Sequence, residues 1–182
     1  MTQLLGFIVE KATGERLSDY VSRKLWTPMH AEESALWSLD RKDGMEKAYC
    51  CFNSNARDFA RFGQLLLNNG QWDDRQLISP AYLAEATSPD TRLVYKDLGK
   101  PNHCYGFQYW ILDYKGMKIP YMRGILGQYV FTLPEKNAVI VRLGHKRSDT
   151  YTADQHYPDD INTWLDAAMD LLQSVSYTHL RA

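Results

Sequence analysis

The segment Arg123-Gly124-Ile125-Leu126-Gly127-Gln128 carries two glycines three residues apart, directly ahead of an aromatic and β-branched run. Glycine lets the backbone approach another group closely, and such a segment can leave N–H groups directed into a cleft. That is what an oxyanion needs during acyl transfer. The same pattern also serves a plain β-bulge or turn. Other patterns that mark nucleophiles or cofactors are absent. The chain has no Gly-x-Ser-x-Gly elbow, no Gly-rich phosphate loop of the P-loop or dinucleotide type, and no serine followed three residues on by lysine. Neither Ser54 nor Ser148 stands beside an obvious base, and no cofactor is implied.

Among the histidines, only His145 gains from its position. It follows a hydrophobic strand, where side chains often face a ligand, and is a candidate for a substrate wall. The paired carboxylates Asp73-Asp74 and Asp159-Asp160 are sequence neighbours that do not face each other, so they read as a solvated turn and a helix start. Three cysteines, two of them adjacent, argue against a disulfide framework, and a bridge between Cys50 and Cys51 is not expected. No paired spacing suits a structural metal site.

Composition narrows the partners. With 45% hydrophobic and 24% charged residues, and 21 Lys+Arg against 22 Asp+Glu, the chain reads as a globular protein with no basic excess for tracking nucleic acid. No apolar run reaches the length of a membrane span, and no signal peptide can be read at Met1–Gly6. A chain of 182 residues suits one packing unit, expected over residues 1–174. Residues 175–182 are expected to be a non-native or disordered tail. Oligomeric state and compartment are not legible.

The elements that must position these residues follow from periodicity. Leu4, Leu5, Ile8, Val9 and Ala12 predict a first helix stopped by Gly14. A second, capped by Ser18, ends near Trp26 because Pro28 should exclude the helical conformation for Thr27. Residues 30–49 read as a long surface connection. Asn55 caps a third helix, with Asp58 as its partner and Phe59, Phe62, Leu65 and Leu66 as its stripe, before Asn69-Gly70. A short helix starts at Pro80. Strands follow over 105–112, 129–133 and 138–143, the last two joined through Pro134-Glu135-Lys136-Asn137. A final helix from Asp159 or Asp160 presents Ile161, Trp164, Leu165, Ala168, Leu171 and Leu172. Helices, an antiparallel sheet and a covering helix make an α+β class.

In family order, these residues resemble the serine β-lactamase-related hydrolases. Leu4 to Gly14, with Leu17, Tyr20-Val21, Leu25-Trp26 and Pro28-Met29, resemble the helical pair that follows the catalytic Tyr-x-Asn motif. Asn55 to Gly70 looks like the family's next signature helix. Tyr129 to Lys136 is similar to the hairpin bordering the active site of class C β-lactamases. The resemblance spans residues 3 to 172. It implies the C-terminal part of a β-lactamase/transpeptidase-like fold, an antiparallel sheet flanked by helices. It also implies acyl transfer, in which a serine of Ser-x-x-Lys attacks an amide or ester and takes up its acyl group.

Within this resemblance the Ser-x-x-Lys serine would lie well upstream of Met1, and the Tyr-x-Asn tyrosine a few residues before Thr2. Arg123-Gly124-Ile125 stands where true β-lactamases carry Lys-Thr-Gly. It is closest to the Gly-Ile-x-Gly-Gln of the 6-aminohexanoate-dimer hydrolase and esterase branch. The resemblance makes the Ile125 N–H an oxyanion donor and Gly124 the close approach to substrate. It places Asn53 as a cleft-facing contact to a substrate amide and leaves any carboxylate recognition to Arg123. Cys50-Cys51 occupies a place where relatives often carry Gly-Gly. The expected ligand is a small amide or ester. Two readings follow: the C-terminal part of a serine hydrolase, inactive alone, or a non-catalytic protein that binds through the same wall.

Overall fold

The computed structural model describes residues 2–95, 99–152 and 156–178, and the chain forms two compact units, Met1–Ser79 and Pro80–Ala182. One packing unit was expected. The two halves instead gather separate cores, one built on aromatic rings and the other on a sheet.

In the first unit, helix α1 (Thr2–Thr13) and helix α2 (Leu17–Val21) run into a π-helical turn over Ser22–Trp26. Three details depart from the sequence reading. Arg16, not Ser18, occupies the N-cap of α2, and the Ser18 hydroxyl instead donates to Glu46 Oε1 at 2.6 Å. Thr27 is helical (φ −64°, ψ −48°) despite Pro28, with its N–H donating to Ser22 O. The residue before proline is disfavoured there rather than barred, and the wider turn accommodates it. On α1 the apolar residues face outward: Leu4, Leu5, Phe7 and Ile8 are exposed, and Gly6 is buried instead. A Cβ on Gly6 would lie 2.9 Å from Ala48 Cβ. The inward face is closed by Gln3, whose amide donates to Glu46 O and accepts from Ala48 N.

The 30–49 connection contains strand β1 (Leu36–Trp37), which pairs antiparallel with β2 (Phe52–Asn53). It also buries Glu46, which Arg16 and Ser18 hold. Phe52 is the hub of the aromatic core, with ring centroids 5.3 Å from Trp26, 5.2 Å from Trp37 and 6.1 Å from Phe59. Helix α3 (Ala56–Leu67) starts as read. Asn55 Oδ1 accepts from Asp58 N while Asn55 Nδ2 donates to Asp58 Oδ2, both at 2.8 Å. The hairpin of β3 (Gln71–Trp72) and β4 (Arg75–Gln76) closes the unit.

The second unit opens with α4 (Pro80–Ala86) and the pair β5 (Val94–Tyr95) and β6 (Lys100–Pro101). A four-stranded antiparallel sheet in the order β10-β9-β8-β7 follows. It comprises β7 (Trp110–Tyr114), β8 (Met117–Arg123), β9 (Tyr129–Leu133) and β10 (Ala138–Arg142). Strand β8 was not foreseen, and it holds Pro120, opposite Ile111 of β7. The ladder to β9 begins at Tyr121, one residue beyond that proline, so the missing N–H leaves that ladder intact. The β9–β10 hairpin closes through Pro134–Lys136 as expected, with Asn137 left-handed at φ 46°.

Strand β9 is buried along its whole length. Helix α5 (Asp160–Thr178) covers the sheet, with Ile161 and Leu165 buried against Tyr121, Phe131 and Leu133, and Met169 and Leu172 beside them. Trp164 and Leu171, expected on that stripe, are exposed at 43% and 66%. The helix also carries through residues 175–178, where no element was expected, and residues 179–182 lie outside the described residues.

Candidate functional site

The loop between β8 and β9 follows from a strand that must stop and re-enter the sheet within five residues. Gly124 N donates to Gln128 O at 2.8 Å and Gly127 N to Gly124 O at 3.4 Å, with Gly127 in the left-handed region at φ 83°. A Cβ at Gly127 would meet Lys146 O at 2.8 Å, so both space and backbone angle require glycine there. Leu126 N donates to Gln128 Oε1 at 3.1 Å. Of the N–H groups from Gly124 to Gly127, Ile125's alone makes no hydrogen bond among the described residues. Ile125 is 81% exposed.

Side chains from elsewhere in the unit hold this loop by its carbonyls. Arg147 Nε donates to Ile125 O at 3.0 Å, and Arg142 Nη1 donates to Gly127 O while its Nη2 reaches Lys146 O at 2.9 Å. Gln128 Nε2 donates to Gly144 O at 2.8 Å, tying the loop to the segment after β10. These residues frame the site, and sequence reasoning did not assign them. Gln128 stood out only as the last letter of a motif, and nothing in the sequence marked Arg142 or Arg147.

Arg123 precedes the loop on β8. Its guanidinium lies 3.4 Å from the centroid of the Trp110 ring, its Nη1 donates to His156 O at 2.8 Å, and Tyr151 stands 6.0 Å away. Stacking fixes the plane of the group, and no carboxylate pairs with it among the described residues. Burial pushes the Tyr121 phenol up, and the Tyr129 phenol up to about 12 with the Asp160 carboxylate adding to the effect. Neither is an anion at neutral pH. His145 lies in the exposed segment beyond β10, which ends at Arg142 rather than at Leu143. The second unit thus holds Arg123, Gly124 and Ile125 in succession, with His145 next to the Gly144 that Gln128 anchors.

Asn53 belongs to the first unit. It is exposed on β2, with Nδ2 donating to Cys51 O at 3.0 Å and Leu36 O at 3.5 Å. Cys50 and Cys51, not expected to bridge, form a disulfide across a Cα separation of 3.7 Å. Along an extended strand their side chains would point to opposite faces, but Cys51 takes φ 71°, which breaks that alternation. No group of His, Cys, Asp and Glu suited to holding a metal occurs among the described residues. Nor is any helix among them long and apolar enough to cross a membrane.

Comparison with known proteins decides the family. Residues 1–161 match the Beta-lactamase family. The chain belongs to it. A 6-aminohexanoate-dimer hydrolase of Paenarthrobacter ureafaciens is 28% identical over 146 residues, covering 78% of this chain and 37% of that protein. A solved Bacillus anthracis structure, provisionally described as a 6-aminohexanoate-dimer hydrolase, superposes with a TM-score of 0.72 at 26% identity. That superposition covers 95% of this chain and 42% of the other. A penicillin-binding protein homologue from Caulobacter crescentus shares the fold at a TM-score of 0.60 and 15% identity, over 82% of this chain and 52% of that one. The β-lactamase and penicillin-binding-protein fold, mixed helix and antiparallel sheet, is therefore the fold of this serine-hydrolase-family chain. The chain spans well under half the length of that Paenarthrobacter ureafaciens protein.

Proposed function

We propose that this chain supplies the oxyanion wall of a serine hydrolase that cleaves a small amide or ester through an acyl-enzyme, and that its nucleophile lies outside these 182 residues. The observation that carries the reading is the Ile125 N–H. It is left open on a loop whose neighbouring N–H groups are taken and whose carbonyls are held by Arg142 and Arg147. A donor fixed in advance stabilises developing charge without reorganising when the reaction occurs. The absence of Ser-x-x-Lys and the partial coverage of the relatives support a nucleophile on sequence beyond this chain, which alone would then be inactive.

Substrate recognition falls to the groups around that donor. Gly124 lets the backbone pass close to the reacting carbonyl, and His145 contributes to the wall. Arg123, stacked and lacking a carboxylate partner among the described residues, suits an acyl compound with a free carboxylate. A dimer of an amino acid joined by an amide, as in the relatives' name, is such a compound.

The test is to read the nucleotides upstream of Met1 and to express both the extended frame and the 182-residue chain with a fluorophosphonate probe. Labelling of the extended protein at a Ser-x-x-Lys serine, and none of the short chain, is expected. An in-frame stop close upstream, or labelling of the short chain, would overturn the proposal. The stop would favour a non-catalytic protein that binds ligands through the same wall.

A further inference from the structure

We propose that Cys50 and Cys51 are a thiol–disulfide exchange site, taking a dithiol as reductant, whose redox state sets the backbone on which Asn53 stands. A disulfide between sequence neighbours closes no loop of chain, so it adds none of the chain-entropy stabilisation that a long-range bridge provides. Its effect is confined to the peptide units it joins. Three donors converge on those units: Trp37 Nε1 reaches Cys50 O at 3.0 Å, Ser38 N reaches Cys51 O at 3.1 Å, and Asn53 Nδ2 reaches the same Cys51 O at 3.0 Å. The bond from Ser38 N depends on Cys51 holding φ 71°, a region that residues other than glycine seldom adopt unless their surroundings impose it. The disulfide is part of that imposition, and breaking it frees Cys51 to return to an extended conformation that carries its carbonyl, and Asn53 with it, away from Ser38.

The site is accessible, since Cys51 is exposed and Cys50 half-buried. A thiolate of the reductant attacks Cys51 Sγ, the Sγ–Sγ bond breaks, and Cys50 leaves as a thiolate that takes a proton from water. The second thiol of the reductant then attacks its own sulfur in the mixed disulfide and expels the Cys51 thiolate, which is protonated in turn. Two electrons have entered the protein pair, and the reductant departs as a cyclic disulfide. An oxidised dithiol reverses the sequence. The third cysteine, Cys104, is buried and outside any disulfide, so it does not compete for the exposed reagent.

The test uses the whole 182-residue chain. Protein oxidised with glutathione disulfide is treated with dithiothreitol or left untreated, then alkylated under native conditions with iodoacetamide and mapped by peptide mass spectrometry. Both Cys50 and Cys51 should be alkylated only after reduction. Amide exchange at Ser38 should accelerate about tenfold on reduction, the loss of one hydrogen bond's protection. In Cys51→Gly, where glycine takes φ 71° without the bridge, Ser38 should exchange slowly with or without dithiothreitol. In Cys51→Ala it should exchange fast in both. Alkylation of both cysteines in the oxidised sample, or Ser38 exchange unaffected by reduction, would overturn the proposal. It stands or falls without reference to acyl transfer.

Discussion

If the β8–β9 loop is built to leave one donor open, Gln128 is the residue whose loss should show it. Its side chain makes two hydrogen bonds, accepting from Leu126 N at 3.1 Å and donating to Gly144 O at 2.8 Å. Gln128→Ala removes both. The Leu126 N–H is exposed and re-bonds to water, so its share is about 0.5 kcal/mol, whereas the half-buried Gly144 carbonyl is worth about 1 kcal/mol. Together, about 1.5 kcal/mol of local stability should convert to roughly tenfold faster amide exchange at Leu126. Ile125 provides an internal control. Its N–H has no partner among the described residues, so it should exchange fast in both proteins, while Gly124, bonded to the Gln128 backbone carbonyl, should stay protected. The assay is residue-resolved hydrogen exchange by NMR on the whole chain. Equal Leu126 rates in the two proteins, or a protected Ile125 N–H in the native one, would refute the reasoning and return residues 123–128 to a plain turn.

Other outcomes follow from the same structure. In an enzyme extended to include Ser-x-x-Lys, Ile125→Pro should cost about 2.7–4 kcal/mol in kcat/KM on a p-nitrophenyl ester relative to Ile125→Val; a difference of only a few-fold between folded variants would count against the donor. Asp58 is buried, which raises its pKa, but the N–H groups of Glu32 and Glu33, the Asn55 amide and Arg61 outweigh burial and hold its carboxyl below the usual range. Its stabilisation is therefore present above the unfolded value of about 3.9 and disappears as pH falls through the lower folded value. Thermal melts of native protein and Asp58→Asn should differ at neutral pH and converge in acid; parallel curves would contradict this. On α1, Leu4, Leu5, Phe7 and Ile8 are 50–57% exposed, so Ile8→Lys should reduce self-association in sedimentation velocity without loss of helix, and an unchanged profile would show that this face is not adhesive.

What could be read from the chain alone shares one property: the deciding partners are close in sequence. The cap of α3 joins Asn55 to Asp58, three residues away, and the β9–β10 turn lies within Pro134–Asn137. Family membership was legible for a related reason, since it rests on ordered local patterns across residues 4–136. Where the outcome depended on distant groups, residue types misled. Strand β8 went unread, and its place is set by pairing with β7 on one side and β9 on the other. The apolar residues of α1 argued for a buried stripe, yet Gly6 and Gln3 make the inward contacts.

The candidate site divides in the same way. Two glycines flanking Ile125 were enough to say that this backbone could offer an N–H, because glycine spacing limits local conformation whatever the fold around it. That Ile125's N–H is the one left open was decided by Gln128 taking Leu126 N, and by Arg147, 22 residues away, taking Ile125 O. Arg123 was a cation of unknown surroundings until Trp110 and His156 O fixed its plane. The Cys50–Cys51 bridge likewise depends on Cys51's left-handed backbone and on donors from Trp37 and Ser38 across the hairpin. A sequence determines which backbone conformations and hydrogen-bonding groups are available locally. Which of those groups are satisfied and which are left for a ligand depends on side chains that only folding brings within about 3 Å.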